Sequence, residues 1–250
     1  MTLPKSETDS IAKRLFEAYS EGQAATPPTK TFDLTTEDAY RIQSAVLDHR
    51  DSPEIGYKLG FTNDRIQTQM GVDHPASGRL LADSVLEGNS VDTTSLIDPR
   101  FEPEIGFVLD ELSSPAFAHD VLGATRAVVP AVEIVDSRTG DWSLSPEDAI
   151  ADNALASRVL IGARSVSVDG LDLSMEAVQV RKNSELVETG IGANVLSHPV
   201  NAVRWLADRD GIEAGSLVLT GSLTPALALE PGDTVAIEFS TLGTVSLRAD

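Results

Sequence analysis

Glu102 and Glu104 stand two residues apart in the run FEPEIGFVL, a spacing that puts both carboxylates on one face of a strand. Two carboxylates held that close repel unless a cation or a proton lies between them. The apolar Ile105, Phe107 and Leu109 that follow mark the start of a core strand, although a solvated edge pair is the plain alternative. Glu133 lies in AVEIVD, where Val132, Ile134 and Val135 predict a buried strand. A carboxylate in that setting needs a partner. Arg138, just beyond Asp136, offers a simple salt bridge. Alternatively, three carboxylates from two strands, with waters completing six oxygens, would suit Mg²⁺ or Mn²⁺. Lys58, one of only five lysines, sits in the apolar run IGYKLGF. Burial lowers an amine's pKa and lets it serve as acid or base. The competing reading is a strand lysine whose ammonium reaches out to water.

The elements that must position these groups are of two textures. Residues 9–24 read as a helix with Ile11, Leu15, Ala18 and Tyr19 on one side. After the Pro/Thr-rich stretch 23–30, Thr35 and Asp38 have capping-box spacing and predict a second helix running to about Arg50. Beyond it, short β-type runs and turns dominate. These include a strand over 128–135 with Pro130 near its start, a turn at Asp169-Gly170, and a hairpin reversing at Asn183-Ser184. A turn at Pro231-Gly232-Asp233 precedes a final alternating pair of strands. Helices are expected over 145–155, with Pro146 at its first position, and over 199–207. The chain therefore reads as α+β, an N-terminal helical segment over 1–52 and a β-rich catalytic domain over 53–250. No GxGxxG or Walker pattern is present.

Composition narrows the chemistry. With no cysteine, thiolate metal sites and thiol nucleophiles are excluded, and the four scattered histidines form no close-spaced ligand pair, so a metal would be held by oxygen. The formal charge of −20 argues against nucleic acid and anionic membrane as partners. Acid in excess and scarce lysine fit a protein kept soluble in strong salt. No run approaches a membrane span and the N-terminus lacks a signal-type apolar stretch, so a cytoplasmic location is expected.

The runs GYKLGFTNDRIQTQMGVDHPASGRL, LIDPRFEPEIGFVL, PAVEIVDSRTGDW, DAIADNA, GIGANVLSHPVNAVRWLA and LVLTGSLT occur in that order. With LTTEDAYRIQ before them, they resemble the 2-keto-4-pentenoate hydratase and 4-oxalocrotonate decarboxylase branch of the fumarylacetoacetate hydrolase superfamily, over essentially the whole chain. The resemblance implies a mixed β body of rolled, barrel-like sheets and a role in the catabolism of aromatic compounds. It implies a divalent metal, usually Mg²⁺, on Glu102, Glu104 and Glu133, with Lys58 in the active site. Asp83, the second candidate catalytic residue, corresponds to a residue that lines or supports the pocket, and Thr220, Gly221 and Ser222 match a stretch that approaches the substrate. Relatives form homo-oligomers up to decamers. Departures fall at Phe101 and Pro103 around the first glutamate, at Phe61 and Asn63 after Lys58, and at Leu155 after the ADNA segment. Because proline lacks a ladder donor, Pro103 is expected at an edge or bulged position.

The reaction implied is enol–keto work on a short 2-oxo or 2-hydroxydienoic acid. The first expectation is hydration of 2-hydroxypenta-2,4-dienoate to 4-hydroxy-2-oxopentanoate, with Lys58 moving a proton or orienting water. Decarboxylation of 2-oxohex-3-enedioate is the alternative, and dehydration of a 2-oxo-3-deoxy sugar acid a further one. A second substrate carboxylate would need a cation such as Arg65, Arg79, Arg138 or Arg158. Arg79 lies near the expected pocket, whereas Leu155 makes one wall apolar and favours a small neutral tail. A C–C bond hydrolase is disfavoured because His49 and His74 have no evident Glu partner, and a non-catalytic partner protein because no metal glutamate is lost.

Overall fold

The computed structural model describes residues 2–250. The N-terminal arm holds α1 (Lys5–Glu21) and α2 (Thr36–Leu47). The body follows with β1 (Glu54–Gly60), α3 (Asp64–Met70), β2 (Ala76–Leu81), β3 (Ser90–Val91), β4 (Arg100–Leu109), α4 (Ala118–Ala124) and β5 (Thr125–Val135). Next come α5 (Pro146–Ala151), β6 (Ala156–Ile161), β7 (Ala177–Lys182), β8 (Glu185–Ile191) and α6 (Pro199–Asp210). The chain closes with β9 (Leu217–Ser222), β10 (Leu227–Ala228), β11 (Thr234–Phe239) and β12 (Gly243–Ala249). A seven-stranded sheet runs β2-β1-β9-β4-β5-β6 with β10 added against β4, and a five-stranded sheet runs β3-β12-β11-β7-β8. Phe101, Ile105 and Phe107 from the first sheet join Val178, Val180, Ile237 and Leu247 from the second in one buried cluster. The α+β reading with a β-rich body holds.

Capping starts α2 as its sequence predicts. The Thr35 hydroxyl accepts from the Asp38 amide at 3.1 Å, and the Asp38 carboxylate accepts in return from the Thr35 amide. Asp38 also accepts from the Leu3 amide at 2.9 Å and pairs with Arg41 at 3.0 Å, so one buried carboxylate ties the chain start to α2. Ile11, Leu15, Ile42 and Val46 then pack with Ala76, Ile150 and Ala151 of the body. Gln43 adds hydrogen bonds to the carbonyls of Ser77 and Ile150 at 2.9 and 2.8 Å.

The Leu3 amide bond, with help from Thr35 and Arg41, holds the Asp38 carboxyl below its ordinary value despite burial. Its stabilisation is therefore present above the unfolded value near 3.8 and is lost as pH falls through the lower folded value. Asp38→Ala is expected to cost about 1–3 kcal/mol at pH 7. Thermal melts should show the gap from the parent closing below about pH 4.

Two expectations change. The helix anticipated over 145–155 stops at Ala151, and Asn153, Ala154 and Leu155 take positive φ of 52°, 49° and 64°. Pro103 is not on an edge strand, because β4 lies between β9 and β5. It sits where the neighbour of β4 changes from β9 to β10, next to a register shift between Glu104 and Gly106, so its missing N–H interrupts no continuous ladder.

Candidate active site

In the antiparallel pairing of β4 with β5, Glu102 lies directly opposite Glu133 and Glu104 lies opposite Ala131. Alternation along both strands sends all three carboxylates to one side of the sheet, while Phe101, Ile105 and Phe107 fill the other. A carboxylate oxygen from each lies within 4.8 Å of the others. Glu104 and Glu133 are fully buried and Glu102 is half-buried, so the cluster meets solvent on the Glu102 side. Like charges facing one another across a ladder are unfavourable without a compensating cation.

Part of that compensation is Lys58. From the middle of β1 its Nζ lies 3.0 Å from Glu133 Oε2 and donates to the Ala154 carbonyl at 2.9 Å. Burial acts to depress this amine, yet attraction from Glu133, Glu102 and Glu104 outweighs it and holds the ammonium above the ordinary lysine value. In the metal-free cluster this favours the ammonium over the neutral base that burial alone would make. Burial, opposed by Lys58 and reinforced by the Glu133 charge, pushes Glu102 up to about 7. Glu104 is likewise driven well above the ordinary carboxylate value by burial, with Glu133 adding to it.

One ammonium against three carboxylates leaves two formal negative charges. Glu104 Oε1 and Glu133 Oε1 are buried with no hydrogen-bond partner. The other Glu104 oxygen accepts from the Gly221 amide at 2.7 Å, which fixes the carboxylate. Hard oxygen donors, uncompensated charge and unpartnered lone pairs on a preset frame fit a small divalent cation with water completing its shell. The residues present therefore suit Mg²⁺ or Mn²⁺.

The surrounding loops are backed by tight packing. Gly221 has φ of 105°, and a Cβ there would overlap the Thr62 hydroxyl, so only glycine lets β9 pass so near Thr62 while its amide reaches Glu104. Thr220 is buried and its hydroxyl donates to the Ile105 carbonyl at 3.0 Å, stapling β9 to β4. Ser222 pairs with Glu104 across the ladder and accepts from the Thr224 amide. Leu155, half-buried, follows the Ala154 carbonyl that binds Lys58.

The structure does not bring Arg79 or Asp83 to this cluster. Gly78 is the residue opposite Lys58, so Arg79 and its partner Tyr57 project to the other face of the sheet. There Arg79 stacks over Tyr57 at 4.4 Å and faces Glu54. Asp83 lies past the far end of β2, half-exposed, and takes both oxygens to Arg50 at 2.7 Å. The salt bridge anticipated between Glu133 and Arg138 is also absent, because Arg138 bonds Asp152 at 2.6 Å and three backbone carbonyls. Ala154, Asn153 and the Arg138–Asp152 pair did not emerge from the sequence as parts of the site. The sequence signal that marks them is the Asp152-Asn153 step directly after an apolar helical stretch, since Asn tolerates left-handed backbone.

Residues 82–248 match the family profile described as fumarylacetoacetate (FAA) hydrolase, C-terminal. The chain is 38% identical over 251 residues to a 2-keto-4-pentenoate hydratase of Paraburkholderia xenovorans, covering 96% of this chain and 93% of the relative. It is 34% identical over 260 residues to a 4-oxalocrotonate decarboxylase of Pseudomonas putida, covering 99% and 98%. Among solved structures, the 4-oxalocrotonate decarboxylase from Pseudomonas putida G7 complexed with magnesium and adipate superposes with a TM-score of 0.95 at 33% identity, covering 100% of this chain and 99% of the other.

Proposed function

Since the chain belongs to the fumarylacetoacetate hydrolase family, in its hydratase and decarboxylase branch, we propose that it is a divalent-metal-dependent lyase of short 2-oxo and 2-hydroxydienoic acids. The observation that carries this reading is the trio Glu102, Glu104 and Glu133, with two buried oxygens lacking any protein partner. These three residues would hold Mg²⁺ or Mn²⁺. When bound, the ion supplies positive charge that favours enolate character at the substrate's 2-oxygen. Lys58 is poised to deliver a proton or orient a water at the substrate carbon chain, its position set between Glu133 and Ala154. Ser222, Thr220 and Leu155 contribute to the wall around the substrate, Ser222 and Leu155 being half-buried. A homo-oligomer, screened by salt against its own charge, is part of the same proposal.

Both reactions of the branch use this machinery. In decarboxylation of 2-oxohex-3-enedioate, the C5–C6 bond breaks, CO₂ leaves, and the electron pair runs through the conjugated chain to the 2-oxygen. Taking up one proton at that oxygen, from solvent or a site group, gives 2-hydroxypenta-2,4-dienoate. In hydration, that dienoate is protonated at C5 and water adds at C4. We rank decarboxylation first: the whole-length structural likeness is to a decarboxylase bound to adipate, a six-carbon dicarboxylate. Hydration, the first expectation from sequence, is supported by hydratase relatives of up to 38% identity.

Offering the two acids separately with Mg²⁺ at high salt, and following ultraviolet loss together with released CO₂, decides between them. Stoichiometric CO₂ from the diacid with little direct turnover of the dienoate is the expected result. Turnover of the dienoate alone would make hydration the activity, and inactivity on both would favour a sugar-acid substrate.

A further inference from the structure

The geometry points to Asn153 as a positioning residue that, through the Ala154 carbonyl, fixes where the Lys58 ammonium stands relative to the glutamate trio. The catalytic arm of this inference rests on the lyase reading above; the structural arm does not.

An ammonium facing three carboxylates is drawn toward them, and something on the other side must set its distance. That opposing contact is the Ala154 carbonyl, 2.9 Å from Nζ. The carbonyl points there only because residues 153–155 form a left-handed turn, with Asn153, Ala154 and Leu155 all at positive φ. Alanine and leucine do not hold that conformation unaided, so the surroundings must impose it.

Two devices impose it. On one side, the Asn153 side chain bonds both backbone groups of Arg79 on β2, accepting from its amide at 2.8 Å and donating to its carbonyl at 2.9 Å. Because β2 is the edge of its sheet, this amide takes the place of a neighbouring strand at that one residue. The Asn153 backbone is equally close: a Cβ on Gly78, the residue opposite Lys58, would overlap the Asn153 carbonyl oxygen. On the other side, Arg138 grips both ends of the turn, through the Asp152 carboxylate and the carbonyls of Asp152 and Ala156. Asn153 makes no hydrogen bond to Lys58 and acts on it only through the next residue's carbonyl.

The decisive variant is Asn153→Gly, which keeps the left-handed backbone free of strain and removes only the side-chain clamp. Two readouts apply. The first is the rate at which an amine-reactive ester acylates Lys58 in metal-free protein, followed by peptide mass spectrometry with Lys5, Lys13, Lys30 and Lys182 as internal references. The second is kcat and KM of the Mg²⁺-loaded enzyme. Acylation of Lys58 should rise at least about fivefold relative to the references, and kcat should fall about tenfold or more with KM within about twofold. Asp38→Ala, destabilised at the Leu3 and Thr35 contacts of the N-terminal arm, should leave both readouts at parent values. Should Asn153→Gly not fold, Asn153→Asp, which retains the acceptor for the Arg79 amide but sets a carboxylate oxygen against the Arg79 carbonyl in place of the donor, carries the same expectation. Parent-like Lys58 acylation and kcat, or changes no larger than those in Asp38→Ala, would overturn the inference. If the parent turned over neither acid, the dienoic-acid reading would fail, while the acylation rates would still decide the clamp.

Discussion

Lys58→Met is expected to lower kcat at least about 100-fold, the range that a positioned acid–base group supplies. Divalent metal should bind as tightly as in the parent or tighter. The two effects separate because Lys58 has distinct electrostatic and chemical roles. Electrostatically, its ammonium is a cation beside Glu133, so removing it makes the site more attractive to a metal. Chemically, it is the amine that the structure places against the trio, 3.0 Å from Glu133 Oε2. Methionine keeps the unbranched shape within β1 and loses the charge. Without metal, the variant leaves buried carboxylates unpaired, which costs about 3–5 kcal/mol. Saturating Mg²⁺ should recover most of that loss. Activity assays, calorimetry and melts with and without chelator check the three parts separately.

Glu104→Gln should move stability in the opposite direction. In metal-free protein Glu102 is raised to about 7 and Glu104 is also raised well above its ordinary value, mainly by burial, with Glu133 adding to both. Both hold protons in the folded state that the unfolded chain has released near 4.5. Stability from this cluster is therefore present below about pH 4.5 and falls as pH rises through 7. Glutamine removes one of the opposed charges, so with chelator the variant should melt higher than the parent at pH 8, and its Tm should decline less between pH 5 and 8. The same variant should show little Mg²⁺-dependent gain in Tm, because it lacks a ligand. A metal-free parent more stable than Glu104→Gln at pH 8 would contradict the electrostatic account.

Much of this site is legible in short-range pattern. The spacing of Glu102 and Glu104 alone fixes that they share a face, and the apolar run around Lys58 predicts its burial. The Thr35–Asp38 spacing is read directly as the cap of α2. What was not legible depends on register and on backbone. Whether Arg79 or Gly78 faces Lys58 is decided by the pairing of β1 with β2, and a one-residue difference exchanges the two faces. Arg138 stands five residues from Glu133, yet the chain leaves β5 at Val135 and turns the guanidinium to Asp152, 14 residues on. Asp83 follows β2 but lies beyond its end, where Arg50 from the helical arm meets it. The Ala154 carbonyl carries no side-chain signature at all, and the helical composition of 146–155 hides the left-handed turn that aims it.

The central claim is that Glu102, Glu104 and Glu133 form one divalent-metal site beside Lys58. Isothermal titration of chelator-treated protein with Mn²⁺ at pH 7, in two buffers of different ionisation enthalpy, tests it most directly. The account predicts one ion per chain and net proton release, since the ion displaces protons that the raised carboxyls hold at that pH. It also predicts that Glu104→Gln binds at least about 100-fold more weakly. Absence of a binding heat in the parent, or equal affinity in parent and Glu104→Gln, would contradict it.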